Sequence, residues 1–443
     1  MRVPERPTTL RYVPFRTINQ LPPLLFGFKK MMSCLLDRFI PSEETVSKLT
    51  ADKENVQPSR PIEYMGHYHL YADHNNEKKK ILLARLYSRH QEYVPLFSKK
   101  DRNENFLLSG VSGIGKTAFL ERLTNARAIY DKQTFVLDTD GCFFGDRSTA
   151  EHCQANSFQK LPGYGFCLNP FARVTDWEKD RGMIVPIFSL MLNKPGRLPL
   201  FKPEELDAAL NLLWITRGRG ITLNDLFITL DTLCDEKGLT KDVKERVLDT
   251  LEQYRLFFSG GINTIENKTV TIVNFGWKDR LNFPKDVVGC VELLWLYRLV
   301  KHIQTNFIDD PLIIIDGDAS WFFLELGSPD VVAFFEKFVE AVTFDNFSFG
   351  YSTLKSMPDI ERTPLGKVIA SHVATYFIMR QLTAAYQFID TNCILASWYA
   401  DNAKGLTTAM RLHRSPYPPT QYTDLCIKKE NFEATIKFVL NDK

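Results

Sequence analysis

The chain has 443 residues, of which 44% are hydrophobic and 24% are charged, and its formal net charge at pH 7 is +2. This length allows two or three domains with a sizeable buried core, and the composition excludes an intrinsically disordered chain. The nearly neutral charge excludes a global basic field, so any DNA contact has to be local.

Cysteine usage and hydropathy indicate the compartment. The eight cysteines are scattered without a CxxC pair, which indicates neither a zinc site nor a disulfide framework. The most apolar early stretch, 21–28, is followed by Lys29 and Lys30, and the sequence has no run of about twenty apolar residues. A cytoplasmic protein without a signal peptide is predicted.

The first third of the chain leads from an arm into a glycine-rich turn. Residues 1–60 are rich in Pro, Arg and Lys and predict an arm or linker with one short amphipathic helix. Between 62 and 97 strand-like and helical runs are mixed. Residues 106–109 then predict a buried strand that enters the turn.

Beyond the turn, the patterns predict an α/β core interrupted by helices. Apolar residues at helical spacing over 118–126 predict a helix, and the run 134–137 predicts a strand that ends at Asp138. Strand, loop, helix and strand in this order indicate a βαβ unit. Further helices are predicted at 183–192, 203–214, 223–234, 241–256 and 287–303, strands at 270–275 and 312–315, and a final helix pair around 331–342.

The glycine-rich turn carries a phosphate-binding motif. It fits the pattern G-x-x-x-x-G-K-[ST] with Gly110, Val111, Ser112, Gly113, Ile114, Gly115, Lys116 and Thr117. The glycines let backbone N–H groups turn toward phosphate oxygens, and the helix start adds its positive dipole end. Lys116 is predicted to reach the β- and γ-phosphates of ATP, and Thr117 to ligate Mg²⁺. A glycine-rich turn with an incidental lysine is the alternative, against which the strand–helix context argues.

A second apolar strand ends in an acid. Residues 312–316 predict that Asp316 holds Mg²⁺. Asp138 ends a strand of the same form and is the main competitor, and a turn or capping aspartate is the alternative for both. A carboxylate that positions the attacking water is expected next, but Gly317 follows, so Asp318 becomes the candidate for that role.

Together these patterns predict the α/β fold class, with a RecA-like P-loop NTPase core and an inserted all-α subdomain. The division we predict is an N-terminal arm or linker at 1–60, the first part of the core at 61–175, the all-α subdomain at 176–260, and the second part of the core with a C-terminal tail at 261–443.

The order of the motifs resembles the TraC/TrbE type (VirB family) of type IV secretion and conjugation ATPases, over about residues 12–381. The family's Leu-Asn-Pro-Phe segment is present as Leu168-Asn169-Pro170-Phe171, and its Thr/Asp helix start resembles 221–225. Only the trailing edge of the family's N-terminal docking domain resembles this chain, around 16–22. The chain is therefore expected to be a C-terminal motor domain on its own.

The chain departs from the family at two catalytic elements and keeps a third. The family's acidic strand is followed by Glu-Ala-Trp, where this chain has Gly-Asp-Ala-Ser-Trp at 317–321, and Leu354 stands where a Gln senses the γ-phosphate. The family's Arg-Gln pair is retained as Arg380 and Gln381. The resemblance implies that Gln381 contributes to nucleotide binding and that Arg380 supplies charge within or across subunits. A surface salt bridge is the alternative for Arg380.

The resemblance implies an ATP-hydrolysing motor that uses ATP and Mg²⁺ to drive pilus assembly or substrate transfer. It also implies a homo-oligomeric ring such as a hexamer, contacts with secretion-channel proteins, and a peripheral position at the cytoplasmic face of the inner membrane. One alternative is a catalytically degenerate paralogue with a scaffolding or regulatory role, which Gly317 and Leu354 favour. Another is a DNA translocase or packaging ATPase.

Two other groups of residues are predicted to have ordinary surface roles. His67, His69 and His74 suggest solvated imidazoles on a strand, and no zinc site is predicted. The short basic runs 78–80 and 99–100 are typical of solvated faces, so they support DNA contact only weakly.

Overall fold

The computed structural model describes residues 62–72, 81–85, 93–95, 104–110, 112–128, 130–143, 158–193, 199–259, 264–278, 281–317, 328–355, 360, 362–379, 422–429 and 432–439. The predicted arm, the two basic runs and His74 lie outside these residues. His67 and His69 belong to a described strand, but their side chains are not among the described groups.

Twelve strands of the described residues form one sheet. They are β1 (Ile62–Ala72), β2 (Ile81–Arg85), β3 (Tyr93–Pro95), β4 (Phe106–Ser109), β5 (Thr134–Asp138), β6 (Phe158–Pro162), β7 (Val270–Asn274), β8 (Leu312–Asp316), β9 (Ser348–Thr353), β10 (Thr375–Met379), β11 (Tyr422–Lys429) and β12 (Phe432–Val439). The α-helices are α1 (Lys116–Ala128), α2 (Trp177–Leu192), α3 (Pro203–Arg217), α4 (Leu223–Glu236), α5 (Lys241–Glu252), α6 (Arg255–Phe258), α7 (Lys285–Asn306), α8 (Pro329–Phe344) and α9 (Pro364–Ser371).

The centre of the sheet is parallel. Its spatial order is β3-β2-β1-β12-β11-β10-β4-β9-β8-β5-β7-β6, and the seven strands from β10 to β6 run parallel to one another. Strands β11 and β12 extend the sheet in antiparallel fashion beyond β10. The carboxyl ends of β4, β9, β8 and β5 therefore meet at one edge, which is where α/β proteins bind ligands.

The central strands were predictable because they are buried on both faces. Every residue of β4, β5 and β8 is buried. Parallel strands covered by helices on both faces are near-continuous apolar runs, which is the pattern seen in the sequence. The predicted strands at 106–109, 134–137 and 312–315 are confirmed.

The helices between β6 and β7 pack onto the core. Helix α2 contacts both α7 and α8, and a buried ion pair joins it to α7. In that pair Lys301 Nζ lies 3.0 Å from Asp180 Oδ1, and the two side chains are 7% and 3% exposed. One hydrophobic cluster contains residues of the sheet and of α2 to α6. The helical character of this stretch is confirmed, whereas the division into domains stays a prediction.

The Leu-Asn-Pro-Phe segment fastens this helical stretch to the core. Asn169 Oδ1 accepts a hydrogen bond from Phe171 N at 3.1 Å, and Asn169 Nδ2 donates to Ile221 O at 2.7 Å. Immediately afterwards Thr222 and Asp225 form a reciprocal capping box that starts α4. Both family-like motifs therefore have clear structural roles.

Helix α7 explains the long apolar pattern at 287–303. It spans 22 residues, most of them buried against neighbouring elements, and Trp295 Nε1 donates to Gly163 O beyond β6 at 3.1 Å. No helix in the described part of the chain has the length and apolarity needed to cross a bilayer.

Several elements differ from the sequence prediction. The helix predicted at 241–256 is two helices, α5 and α6, because residues 253–254 form a turn. The helix pair predicted around 331–342 is the single helix α8, and the described segments between 62 and 97 are strands only. Strand β6 was not predicted because only one of its five residues is buried.

Candidate nucleotide-binding site

A glycine-rich loop follows β4 at the carboxyl edge of the sheet. Gly113 has φ +73° and Gly115 has φ +103°, conformations that glycine adopts without steric cost. A Cβ on Gly113 would meet no atom within 4 Å, so this part of the loop faces open space. Helix α1 begins directly after the loop at Lys116, and its N-terminus is suited to bind an anion.

Lys116 is held against the loop. Its Nζ donates a 2.7 Å hydrogen bond to Gly110 O, and the residue is only 8% exposed. The loop is in turn fastened to β9, because Gly110 N donates to Thr353 O at 3.3 Å and Ser109 Oγ donates to Lys355 O at 2.6 Å. The ammonium group is thus positioned inside the curve of the loop.

Thr117 of α1 and Asp316 of β8 meet although β9 lies between β8 and β4, the strand that leads into the phosphate loop. Thr117 Oγ1 donates to Asp316 Oδ2 at 2.9 Å. Burial raises the pKa of Asp316 to about 6, with the Thr117 hydrogen bond opposing the shift and the Asp138 carboxylate adding to it. A hydroxyl and a carboxylate placed together in this way are the two protein groups that hold Mg²⁺ in P-loop enzymes.

Asp138 has a different environment. It is completely buried, and its two carboxylate oxygens accept hydrogen bonds from the backbone N–H groups of Cys142 at 3.1 Å and Phe143 at 3.0 Å. This is the behaviour of a turn-forming aspartate. Of the two aspartates that the sequence left in competition, the geometry favours Asp316 as the metal-binding one.

The residues present fit a magnesium–nucleotide complex. In the described ranges, no three His, Cys, Asp or Glu side chains are arranged to hold a metal by themselves. Mg²⁺ in nucleotide sites needs fewer protein ligands, because phosphates and water complete its octahedron. Thr117 and Asp316 would hold the ion, which supplies charge neutralisation at the phosphate oxygens. Lys116 and the loop N–H groups would hold the phosphates.

Other predicted site residues are placed differently or lie outside the description. Leu354 directly follows β9 and is 43% exposed, so an apolar side chain stands at the expected γ-phosphate sensor position. Gly317 follows Asp316 with φ +101°. Outside the described residues lie Val111, Asp318, Arg380 and Gln381.

Two residues at the same edge were missed by the sequence analysis. Thr139 binds the Asp316 carbonyl oxygen twice, through its N at 3.0 Å and its Oγ1 at 2.8 Å. Asp140 follows, and its carboxylate lies beside Gly317. The one available signal was a run of three polar residues, Asp-Thr-Asp, directly after an apolar strand.

The fold and the loop define a class: an α/β P-loop NTPase fold with a seven-stranded parallel sheet. Among solved structures it is similar to VirB4 of Thermoanaerobacter pseudethanolicus, with a TM-score of 0.57 and 12% identity over 86% of this chain and 97% of that chain. Plasmid coupling protein TrwB in complex with ADP and Mg²⁺ gives a TM-score of 0.45 at 10% identity, over 78% of this chain and 87% of that chain. The chain matches no protein-family model and no curated protein sequence.

Replacing Asp316 by asparagine is expected to stabilise the nucleotide-free protein above pH 7. The pKa of this carboxyl is raised from 3.8 to about 6, so the unfolded state loses its proton at lower pH than the folded state. Stability therefore falls as pH rises from about 4 to 6 and stays low above that window. A shift of about two pKa units corresponds to a cost of about 3 kcal/mol for burying the ionised carboxylate. Asparagine carries no charge at this position and therefore avoids this cost.

Urea unfolding of wild type and Asp316→Asn at pH 4 and pH 8, without nucleotide or metal, measures this effect. The exposed Asp309 offers a matched control, and Asp309→Asn should leave the difference between the two pH values unchanged. Equal stability of Asp316→Asn and wild type at pH 8 would contradict the assigned burial of the charge.

Proposed function

We propose that the chain binds ATP and Mg²⁺ at this loop and hydrolyses ATP as a motor subunit of a type IV secretion or conjugation apparatus. The observation that carries the proposal is the Thr117–Asp316 hydrogen bond of 2.9 Å beside the buried, loop-bound Lys116. Incidental glycine-rich turns have no reason to bring a hydroxyl, a carboxylate and an ammonium group together at a helix N-terminus.

In this proposal, Lys116 and the loop amides stabilise the charge of the transferring phosphoryl group. Thr117 and Asp316 hold the metal. Arg380 supplies further charge within a subunit or across a ring interface, and Gln381 contacts the nucleotide. The assignment to secretion or conjugation is supported by the order of the sequence motifs. The chain would work at the cytoplasmic face of the inner membrane through channel partners.

A nucleotide-binding subunit without turnover is the second candidate. Gly317 replaces the expected water-positioning glutamate, and the exposed Leu354 has no polar group with which to sense a γ-phosphate. Neither change removes a group that holds the phosphates or the metal. Such a chain would bind ATP and act as a scaffold or a regulator.

Equilibrium ATP binding with and without Mg²⁺, followed by steady-state hydrolysis over a range of protein concentrations, separates the two candidates. The motor proposal expects Mg²⁺-dependent binding and turnover, with turnover per chain rising as rings assemble. Binding without turnover at any concentration would support the scaffold instead. Absence of ATP binding would contradict the site itself.

A further inference from the structure

The position after Asp316 has no room for a side chain. A Cβ on Gly317 would lie 2.3 Å from Thr139 Oγ1 and 2.8 Å from Asp140 Oδ2, and both distances are shorter than real Cβ contacts. The backbone of Gly317 also has φ +101°, which disfavours any residue with a Cβ. The space where a glutamate side chain would begin is therefore taken by the residues that follow β5.

The segment that carries Asp140 is fixed by its own contacts. Asp138 binds the N–H groups of Cys142 and Phe143, which closes the turn around Asp140. Gly141 has φ +74°, and a Cβ there would lie 2.4 Å from Gly276 Cα, so the turn packs directly against the residues after β7. Asp140 is consequently carried by a turn that is held by hydrogen bonds and by close packing.

One oxygen of the Asp140 carboxylate is paired with a lysine, and the other lies beside Gly317. Asp140 Oδ1 lies 3.1 Å from Lys278 Nζ, and Asp140 Oδ2 is the carboxylate oxygen that would lie 2.8 Å from a Gly317 Cβ. The side chain is 53% exposed, so water reaches it. Its charge also adds to the raised pKa of Asp316, as expected for carboxylates at neighbouring strand ends.

We infer that Asp140 positions and polarises the attacking water, in place of the glutamate that Gly317 displaces. This inference rests on the proposed ATP hydrolysis. The water oxygen forms a bond to the γ-phosphorus, and the bond from that phosphorus to the β,γ-bridging oxygen breaks with its electron pair left on ADP. One proton of the water passes to the Asp140 carboxylate and from there to solvent.

Two other acids compete with Asp140 for this role. Asp138 is excluded because it is buried and both of its carboxylate oxygens accept backbone hydrogen bonds. Asp318, the candidate from the sequence, lies outside the described residues, and it is the direct competitor in the experiment below. Asp140 has a described carboxylate at the edge where the phosphate loop and the metal-binding pair lie.

The test compares Asp140→Asn, Asp318→Asn and Cys142→Ser with wild type in the full chain. The first variant should lower kcat about 100-fold, in the range found for general bases. Its dissociation constant for Mg-ATP, measured separately at equilibrium, should stay within about twofold of wild type, since the water-positioning group does not hold the phosphates. Cys142→Ser changes an exposed side chain of the same turn and should leave kcat unchanged.

The outcomes distinguish this inference from the function on which it rests. Normal kcat in Asp140→Asn, or loss of kcat in Asp318→Asn alone, would overturn the role of Asp140 while leaving ATP hydrolysis intact. A parallel loss of nucleotide affinity and thermal stability in Asp140→Asn would also overturn it, because that pattern shows a structural role. Wild type without turnover would overturn both the hydrolysis proposal and this inference.

Discussion

Replacing Lys116 by alanine is expected to weaken Mg-ATP binding about 1000-fold, which corresponds to about 4 kcal/mol. The Lys116 ammonium group is buried inside the loop and bonded to Gly110 O at 2.7 Å, so it is already oriented where phosphates would bind. Alanine removes the charge but not the glycine turns or the helix start. The fold should therefore survive while the affinity is lost.

Titration of a fluorescent ATP analogue into wild type and Lys116→Ala, with unfolding followed in parallel, measures both expectations. Lys160→Ala is a suitable control, because Lys160 lies on β6, outside the phosphate loop, and its Nζ is 3.5 Å from Phe143 O. Its affinity should match wild type. If Lys116→Ala binds ATP normally, the phosphate loop is an incidental turn.

The phosphate-loop motif behind this prediction is recognisable from the sequence alone, for a physical reason. The motif at 110–117 is local: its glycines, lysine and threonine are read along eight consecutive residues, between a buried strand and a helix. The strands β4, β5 and β8 can also be recognised locally, because they are buried on both faces and their sequences are therefore continuously apolar. Local patterns of this kind fix the fold class.

The choice between Asp138 and Asp316 could not be made in this way. Both residues end buried apolar strands, and they are directly paired in register across β5 and β8. The two aspartates differ in their tertiary contacts. Thr117 donates a hydrogen bond to Asp316, whereas the turn after β5 donates backbone hydrogen bonds to Asp138. Only the order of strands in the sheet decides which aspartate faces the phosphate loop.

Asp140 was missed for a related reason. Its neighbour Gly317 lies on a different strand connection, and the Thr139–Asp316 hydrogen bond that brings them together joins residues 177 positions apart. In the sequence, Gly317 therefore indicates only that the expected glutamate is absent, and nothing nearby in the chain indicates that Asp140 lies beside it.

Introducing a glutamate directly after Asp316, as Gly317→Glu, is expected to destabilise the protein by about 4 kcal/mol. A positive φ costs a residue with a Cβ about 1–3 kcal/mol, and forcing atoms into a packed site costs a similar amount. Here the new Cβ would collide with Thr139 Oγ1 and Asp140 Oδ2. The same change at Gly220, which is exposed and has open space around its Cβ position, should cost less than about 1 kcal/mol.

Chemical denaturation of Gly317→Glu, Gly220→Glu and wild type measures the cost, and ATP hydrolysis shows its consequence. The resemblance to TraC/TrbE-type ATPases alone would predict a gain of activity from Gly317→Glu, whereas the packing around Gly317 predicts a loss. Combining Gly317→Glu with Asp140→Ala removes one collision, but Thr139 Oγ1 and the φ of +101° remain. The double variant should therefore recover only part of the stability and no turnover. Full activity in either variant would show that the carboxylate belongs at position 317.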